Sequence, residues 1–400
     1  MMIKYFENKK IVIGVTGSIA AYKSVDLASQ LIQRGAIVDV IMTEKATKFV
    51  SPLSFQAITH RKVVVDLYDP TSDIGMDHLV LANKADLFVI VPATANIVSK
   101  IALGIADNSL TSTLLATESP ILICPAMDGD MFHKPQIKSN LDKLTEYGFH
   151  VLGPDEGRLA SGKIGEGRLV EISEIQNMCR YILGIHGDYQ GKNIVVTSGG
   201  TREYIDPVRY ISNNSSGKMG NFIAEAARDR GAFVQLVSSS LLSKESPGIE
   251  LSQVKTAEEM LRAVEIASTS ADVLIMAAAV SDWAPSDVSQ QKIKKEGRKE
   301  ISIQMVQSSD ILATISKPGL IKIGFAAETE NVLENAVEKL NSKRLDLIVA
   351  NDISDESIGF ESDYNSVMII DKNGNTKQVS RSLKYEVANL ILDEALNLFV

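Results

Sequence analysis

The sequence predicts two doubly wound α/β domains in tandem, on three observations. An apolar run, Ile194-Val195-Val196, breaks into a small polar loop at residues 197–202. A similar run at residues 11–15 breaks into Thr16-Gly17-Ser18. A buried strand followed by a glycine turn opens a domain of this class, and here it occurs twice. The third observation is size: 400 residues exceed what one hydrophobic core usually supports. The expected domains are 1–188 and 189–400, joined by a glycine-bearing linker at residues 184–191.

In the first half, strands are expected at 11–15, 36–42, 87–91 and 121–124, and helices at 19–34 and 96–108. Gly35 and Gly104 act as helix stops. Alternating strands and helices give a parallel sheet covered on both faces. Polar loops follow the strand ends: Thr43-Glu44-Lys45, Pro92 to Asn96, and Pro125-Ala126-Met127-Asp128. Ligands sit at such ends. Gly14 to Gly17 is not a GxGxxG fingerprint; it is either a plain turn or a phosphate site at a helix start. His78, beside an expected helix, reads on its own as a structural histidine more readily than a catalytic one.

In the second half, strands are expected at 194–197, 232–237, 271–280, 321–326 and 345–350. Helices are expected at 218–230, 257–267 and 330–344. The segment 206–218 is dense in amides, hydroxyls and glycine ahead of a helix, which suits an anion. It is not a Walker A motif, because Ser212 and Met219 stand where glycine and Ser/Thr are required. Lys292-Ile293-Lys294-Lys295 reads either as an exposed charge run or as a triphosphate clamp. Lys339 and Lys343, four apart, share one helix face.

Composition narrows the function classes. Apolar residues make up 45% and charged residues 23%, ordinary for a globular protein. A net charge of −9 argues against general nucleic-acid binding, though a nucleotide needs only a local basic patch. Two cysteines are too few for a disulfide framework, which points to a reducing compartment. The first ten residues carry no apolar signal core, and no apolar run approaches ~18 residues. A cytoplasmic protein with no membrane and no nucleic-acid partner is expected.

Several segments of the first half, GVTGSIAAYKS, DHLVLANKADL, VPATANIVSKIALGIADN, ICPAMDGDMF and GRLASGKIGEGR, together resemble the flavin-dependent cysteine decarboxylase family. The resemblance implies a flavodoxin-like, Rossmann-like domain that binds FMN and decarboxylates a carboxy-terminal or acyl-linked cysteine. It implies that His78 is the active-site histidine and that Gly17, Ser18, Thr43, Thr94 and Asn96 lie in FMN-contacting segments. In that chemistry the cysteine unit is oxidised to a thioaldehyde, CO2 leaves to give an ene-thiolate, and hydride and a proton return.

Two positions depart from the family. Asp128 stands where asparagine usually follows Pro-Ala-Met, and Ser161 stands where the flap has its proton-donating cysteine. A cysteine near pKa ~8.5 suits a general acid, and a serine hydroxyl is far weaker. An ionised Asp128 would repel a carboxylate substrate; protonated, in a site that raises its pKa, it could be the missing donor. Three readings stay open for this half: decarboxylation with a substitute donor, decarboxylation that stops at the ene-thiol, and a degenerate, structural flavoprotein domain beside a monofunctional ligase. Cys124, at the end of an apolar strand, is expected to be buried and inert.

TSGGTRE, DPVRYISNNSSGKMG, AAAVSDW, KIKK, GFAAET and LDLIVAND resemble the phosphopantothenate–cysteine ligase family, with a Rossmann-like domain. The two halves in this order resemble the bifunctional coenzyme A biosynthesis enzymes. That resemblance implies 4'-phosphopantothenate, L-cysteine and CTP as substrates, Mg2+ as a further cofactor, and an acyl-cytidylate intermediate. It implies that Asn213 turns the intermediate into product, its amide a donor for the developing oxyanion. It assigns Arg209 to phosphopantothenate or charge, Asp282 to nucleotide or Mg2+, Lys292 to the triphosphate and Phe325 to the base pocket. Lys339 and Lys343 become further nucleotide-side lysines. Ser309, Asp310, Ile311 and Leu312 fall in a nucleotide-side loop where the family often has Asn-Pro-Asp-Ile. The resemblance also implies a homo-oligomer, with decarboxylase trimers and ligase dimers combining into a dodecamer.

Overall fold

The alternation of apolar strands with amphipathic helices builds both main sheets. In a computed structural model the described residues are 3–66, 77–243, 245–295, 300–328, 331–352 and 362–399. The side chains of Asp77, His78, Ala327, Glu328, Val332 and Asp352 also lie outside the description. The chain divides into two units, Met1–Leu183 and Gly184–Val400.

The first unit runs β1 (Lys10–Val15), α1 (Ala21–Gln33), β2 (Ile37–Met42), α2 (Pro52–Thr59), β3 (Val63–Val64), α3 (Asp77–Lys84), β4 (Leu87–Ala93) and α4 (Ala95–Ala102). It continues through α5 (Ser109–Ala116), β5 (Ile121–Pro125), α6 (Gly129–Phe132), α7 (Pro135–Glu146), β6 (His150–Val151), β7 (Asp155–Arg158), β8 (Ile164–Arg168) and α8 (Ile172–Gly184). The main sheet has the order β3-β2-β1-β4-β5-β6, and all its pairings are parallel. β4 is buried at every position because helices cover both faces. Ile11, Ile13 and Leu27 pack on one face; Val12, Phe88 and Leu110 pack on the other. Each such side chain, fully buried, contributes about 1.5–3 kcal/mol. The helix expected at 96–108 stops at Ala102, with Gly104 in the left-handed region at φ +70°. Asn108 then caps α5 by accepting from Thr111 N at 3.1 Å.

The second unit contains β9 (Asn193–Ser198), β10 (Arg202–Tyr204), β11 (Tyr210–Ser212), α9 (Lys218–Asp229), β12 (Phe233–Ser238), β13 (Ile249–Gln253), α10 (Ala257–Ser268), β14 (Val273–Met276) and β15 (Trp283–Pro285). There follow β16 (Met305–Gln307), α11 (Ile311–Thr314), β17 (Ile321–Glu328), α12 (Val332–Ser342), β18 (Leu347–Asp352), β19 (Tyr364–Asp371), β20 (Thr376–Leu383) and α13 (Lys384–Leu396). The sheet order is β13-β12-β9-β14-β17-β18-β19-β20. Six strands are parallel, and the last two add an antiparallel hairpin at one edge. That hairpin escaped the sequence reading. Its signal is Asn373-Gly374 between two extended runs, with Asp371 accepting from the N–H groups of Asn373 and Asn375 at 2.8 Å.

Two further differences have clear causes. The strand expected at 271–280 ends at Met276. Its small residues leave the sheet because Ala278 N donates to Thr197 Oγ1 at 3.1 Å and Ala279 N to Gly199 O at 2.9 Å. The expected linker at 184–191 packs onto the second unit. Tyr189 is fully buried in that core and donates to Leu392 O at 2.5 Å, and Arg230 grips Asp188 at 2.6 Å.

Candidate active sites

In the first unit the strand order reverses between β1 and β4, and loops after both strands diverge there. Ligands of open α/β sheets bind at such a switch point. A cavity of about 540 Å³ occupies it, lined by Thr16, Gly17, Ser18, Thr43, Thr94 and Asn96 among others. The five residues expected in cofactor-contacting segments thus gather in one place. Thr16 Oγ1 donates to Pro92 O at 2.6 Å and accepts from Thr94 N at 3.2 Å, stitching the two loops together. A Cβ on Gly17 would lie 2.7 Å from Lys45 Cβ, so the turn packs against the loop after β2 with no room for a side chain.

A second cavity of about 480 Å³ shares Ser18, Ala126 and Met127 with the first and is lined by Lys23, Asp128, Arg158 and Arg168. Lys23 was passed over in the sequence reading, although it lies within GVTGSIAAYKS. Its Nζ is buried without a hydrogen-bond partner and stands 3.8 Å from Glu171 Oε1. A buried ammonium in that state favours an anion, and nothing in the spacing of the segment could have shown its burial.

The β7–β8 hairpin carries Ser161 at its tip and is fastened at its base to the loop after β5. Met127 N donates to Gly167 O at 3.0 Å, and a Cβ on Gly167 would fall 2.2 Å from Met127 O. Gly167 also has φ +141°, which only glycine adopts readily. Lys163 pairs with Asp130 at 2.6 Å. Gly167→Ala should therefore push the hairpin off the site, at a cost of about 1–3 kcal/mol. The expected result is loss of this unit's reaction with that of the second unit unchanged, measured on one preparation by product mass spectrometry.

The two departures from the family meet here. The Ser161 side chain hydrogen-bonds to Asp128, and this bond, the Asp130 N–H at 3.0 Å and nearby Lys163 hold the Asp128 carboxyl below its ordinary range. The expectation that this site raises the Asp128 pKa and makes it a neutral donor is therefore corrected: the half-buried carboxylate accepts a hydrogen bond and is ionised at neutral pH. Cys124 is fully buried, and burial pushes its thiol well up, as expected of an inert residue. His78 belongs to α3, but its side chain lies outside the described residues.

In the second unit the switch point lies between β9 and β14. A cavity of about 510 Å³ opens there. Asn213, Asp282, Ser309, Asp310, Ile311, Leu312, Phe325, Lys339 and Lys343 all line it. Gly217 begins α9 at φ +80°, with no side-chain cap, and its Cβ would meet Ser240 and Ser198 below 3 Å. A Cβ on Gly220 would stand 2.6 Å from Thr197 O, so the helix start presses onto the end of β9. Gly217, Lys218, Met219 and Gly220 at the start of α9 thus line the cavity, and the positive end of a helix dipole favours an anion nearby.

Asn213 Nδ2 donates to Ala279 O at 3.3 Å and Val280 O at 3.1 Å. Its amide therefore ties the loop before α9 to the loop after β14, so donation to an oxyanion would require these bonds to be exchanged. Asp310 caps α11, accepting from Ala313 N at 3.2 Å, and pairs with Lys343 at 3.0 Å. Burial works to raise its carboxyl, but these contacts hold it below the ordinary range.

Arg209 and Lys292 are not among the lining residues. The structure instead brings their segments together. Arg209 Nη1 donates to Ile293 O at 3.2 Å and to Asp206 Oδ2 at 3.1 Å, while Ile293 N donates to the same carboxylate at 3.2 Å. Burial acts to raise the Asp206 carboxyl, but the N–H groups of Val208, Ile293 and Arg209 pull it below its usual range.

Lys384, the first residue of α13, also lines this cavity and was missed in the sequence. It is 4% exposed, and burial, reinforced by Lys218, lowers its amine from 10.5 to about 8. A lysine lowered on folding binds fewer protons in the native state than in the unfolded state between these two values. Ligand-free stability should thus rise with pH from about 8 to about 10.5, by up to about 3 kcal/mol. Denaturant titration should show Lys384→Met flattening that rise.

Family models match both halves. One described as flavoprotein covers residues 4–183, and one described as DNA/pantothenate metabolism flavoprotein C-terminal domain covers residues 189–398. The chain is thus a flavoprotein domain followed by this C-terminal domain, in agreement with its two α/β units. The coenzyme A biosynthesis bifunctional protein CoaBC of Bacillus subtilis is 40% identical over 97% of this chain and 96% of its own length. The CoaBC of Escherichia coli is 41% identical over 96% of each chain. A crystal structure of the C-terminal domain of a CoaBC protein is 38% identical and covers 53% of this chain and 97% of that one, with a TM-score of 0.46. The chain belongs to the CoaBC family of bifunctional coenzyme A biosynthesis proteins.

Proposed function

We propose that this chain joins 4'-phosphopantothenate to L-cysteine and decarboxylates the product to 4'-phosphopantetheine. The observation that carries the reading is near-full-length similarity to bifunctional relatives, with a separate cavity at the switch point of each unit. The domain assignment follows: residues 1–188 decarboxylate and residues 189–400 ligate.

Ligation requires carboxylate activation, because oxide is not a leaving group at neutral pH. CTP serves as activator and departs as pyrophosphate and then CMP. The start of α9 and the lysines at 339 and 343 supply positive potential for the phosphates. Among the described residues no cluster of three His, Cys, Asp or Glu side chains could hold a metal. Mg2+ commonly binds through one or two carboxylates plus substrate phosphates, which fits Asp282 in the cavity wall. Asn213 holds the 279–280 loop against the reacting centre and becomes an oxyanion donor by exchanging those bonds. Arg209 and Lys292, tied to one another's segments, act from the adjoining ribbons.

FMN fits the first unit, where Gly17, Ser18, Thr43, Thr94 and Asn96 would hold it. Bound there, it supplies reversible two-electron oxidation of the substrate's cysteine carbon–sulfur unit. Lys23, Arg158 and Arg168 attract the anionic substrate. Leu159 and Ala160 bring the hairpin tip to the cavity wall beside Asp128, and His78 acts from α3. No described helix is long and apolar enough to cross a membrane, and the reading places the protein in the cytoplasm. Val208, Tyr210, Trp283 and Val306, exposed on the two ribbons of the ligase unit, support self-association, with ligase dimers as part of a dodecamer.

Product mass spectrometry with CTP, Mg2+, phosphopantothenate, cysteine and FMN tests the whole reading. Phosphopantetheine is expected. Accumulation of the amide alone would reduce the first unit to a structural domain, which the Ser161–Asp128 pair favours as the second reading.

A further inference from the structure

Lys322, near the start of β17, has no part in the reaction as assigned. Its neighbours Ile321 and Ile323 pack in the core shared with α9 and α13. By alternation Lys322 belongs to the other face of the sheet, where its register partner Leu274 is fully buried. A lysine is rare on such a face unless its ammonium is used. Here Nζ donates to three backbone carbonyls: Leu312 O at 3.2 Å, Ile315 O at 3.5 Å and Lys343 O at 3.1 Å. Burial lowers its amine and Arg344 adds to this, against the pull of Asp346 and Asp310.

The three carbonyls come from the ends of two helices. α11 is one turn long and closes at Ile315. α12 closes at Lys343, after which Arg344 takes φ +51° and Leu345 N returns to Leu340 O at 2.9 Å. Terminal carbonyls find no partner within their own helix, and a cation beside them is favourable. One ammonium therefore ties the end of α11 to the end of α12. The same two elements are joined a second time, by Lys343 Nζ and Asp310 Oδ2 at 3.0 Å. Asp310, Leu312 and Lys343 line the ligase cavity, and Lys322 is not among the lining residues. Lys322 stands three positions before the lining residue Phe325, about 10 Å back along the strand.

We propose that Lys322 is a positioning residue of the ligase: by joining α11 to the end of α12 it fixes the spacing between the 309–312 loop and Lys343, and so sets how tightly the nucleotide is held. The inference rests on the reading of this cavity as the nucleotide site. The two ties do different work. A partly exposed pair such as Asp310–Lys343 is weak, and a triphosphate that engages Lys343 takes it apart. The tie through Lys322 uses the backbone of Lys343, so it stays in place when that side chain turns to the ligand.

Steady-state pyrophosphate release by the full chain tests this, with CTP, phosphopantothenate and cysteine each varied at saturating levels of the other two. Lys322→Met keeps most of the stem and loses the ammonium. It should raise the KM for CTP about tenfold, the effect of losing hydrogen bonds from a charged group, with kcat and the other two KM values within about twofold of native. Titration calorimetry with CTP alone should show the same loss. Lys322→Gln, which keeps a neutral donor, should fall between the two, and it carries the comparison if thermal melts show that Lys322→Met does not fold. Lys343→Met should weaken CTP by itself, and adding Lys322→Met to it should cost about threefold or less, because Lys322 acts through Lys343. A KM for CTP within about twofold of native, an equal rise in all three KM values, or full multiplication of the two effects in the double variant overturns the proposal. Absence of pyrophosphate release by the native chain would instead remove the ligase reading, and this inference with it.

Discussion

Asn213→Asp should retain activation of phosphopantothenate while slowing amide formation by roughly 10²–10³-fold, the usual effect of losing an oxyanion donor. The structure adds a second reason. Asn213 donates to the carbonyls of Ala279 and Val280. An aspartate there sets a carboxylate against two carbonyl oxygens, and no hydrogen bond is possible between acceptors. The loop before α9 should part from the loop after β14, and the acyl intermediate should lose its pocket for the incoming amine. Pyrophosphate release from CTP and phosphopantothenate measures the first step, and mass spectrometry of the amide measures the second. Full amide turnover by the variant would remove Asn213 from the chemistry. Asn213→Ala separates the two causes, since it loses the donor without adding the repulsion.

Ser161→Cys should accelerate the return half of the decarboxylase cycle by roughly 10²-fold or more. A general acid contributes about that much when its pKa lies near the working pH, as a thiol's does and a serine hydroxyl's does not. The nearby Asp128 carboxylate makes the native position poorer still, because a neighbouring anion disfavours loss of a proton from the serine hydroxyl. Asp128 cannot compensate, since its carboxyl lies below its ordinary range. Nor can Cys124, buried with its thiol pushed up. Single-turnover flavin absorbance reads the effect: bleaching reports oxidation of the substrate, and recovery reports the protonation step. Faster recovery with unchanged bleaching is the expected result. Equal recovery in native and variant chains would mean that another group already supplies the proton.

Much of the architecture was legible because its physics is local. Strands buried on both faces read as unbroken apolar runs, and a glycine turn marks where each opens, so β1, β4, β9 and their loops could be placed from residue type alone. The cavity residues near these loops were implied by the family resemblance, and they gather because strand ends in a doubly wound sheet converge at the switch point. Less legible were features created by contacts far apart in sequence. Lys384 is one lysine at the start of an apolar helix, and its burial comes with the packing of α13 against α9. Lys23 looked like any polar helix residue until its amine proved buried.

The sequence by itself determined the two-domain α/β plan, the flavoprotein and ligase classes, and the two anomalous positions in the first half. These depend on periodicity, on turn chemistry and on motifs that are contiguous in the chain. Only the tertiary structure decided what the anomalies do to one another. Ser161 and Asp128 are 33 positions apart, and it is the β7–β8 hairpin that brings hydroxyl to carboxylate and fixes Asp128 as an anion. Likewise, the sequence named Asn213 but not its two carbonyl partners, and it gave no sign of the cation at the start of α13. Charge state and hydrogen-bond partnership depend on burial and on distant neighbours, and neither is encoded in local spacing.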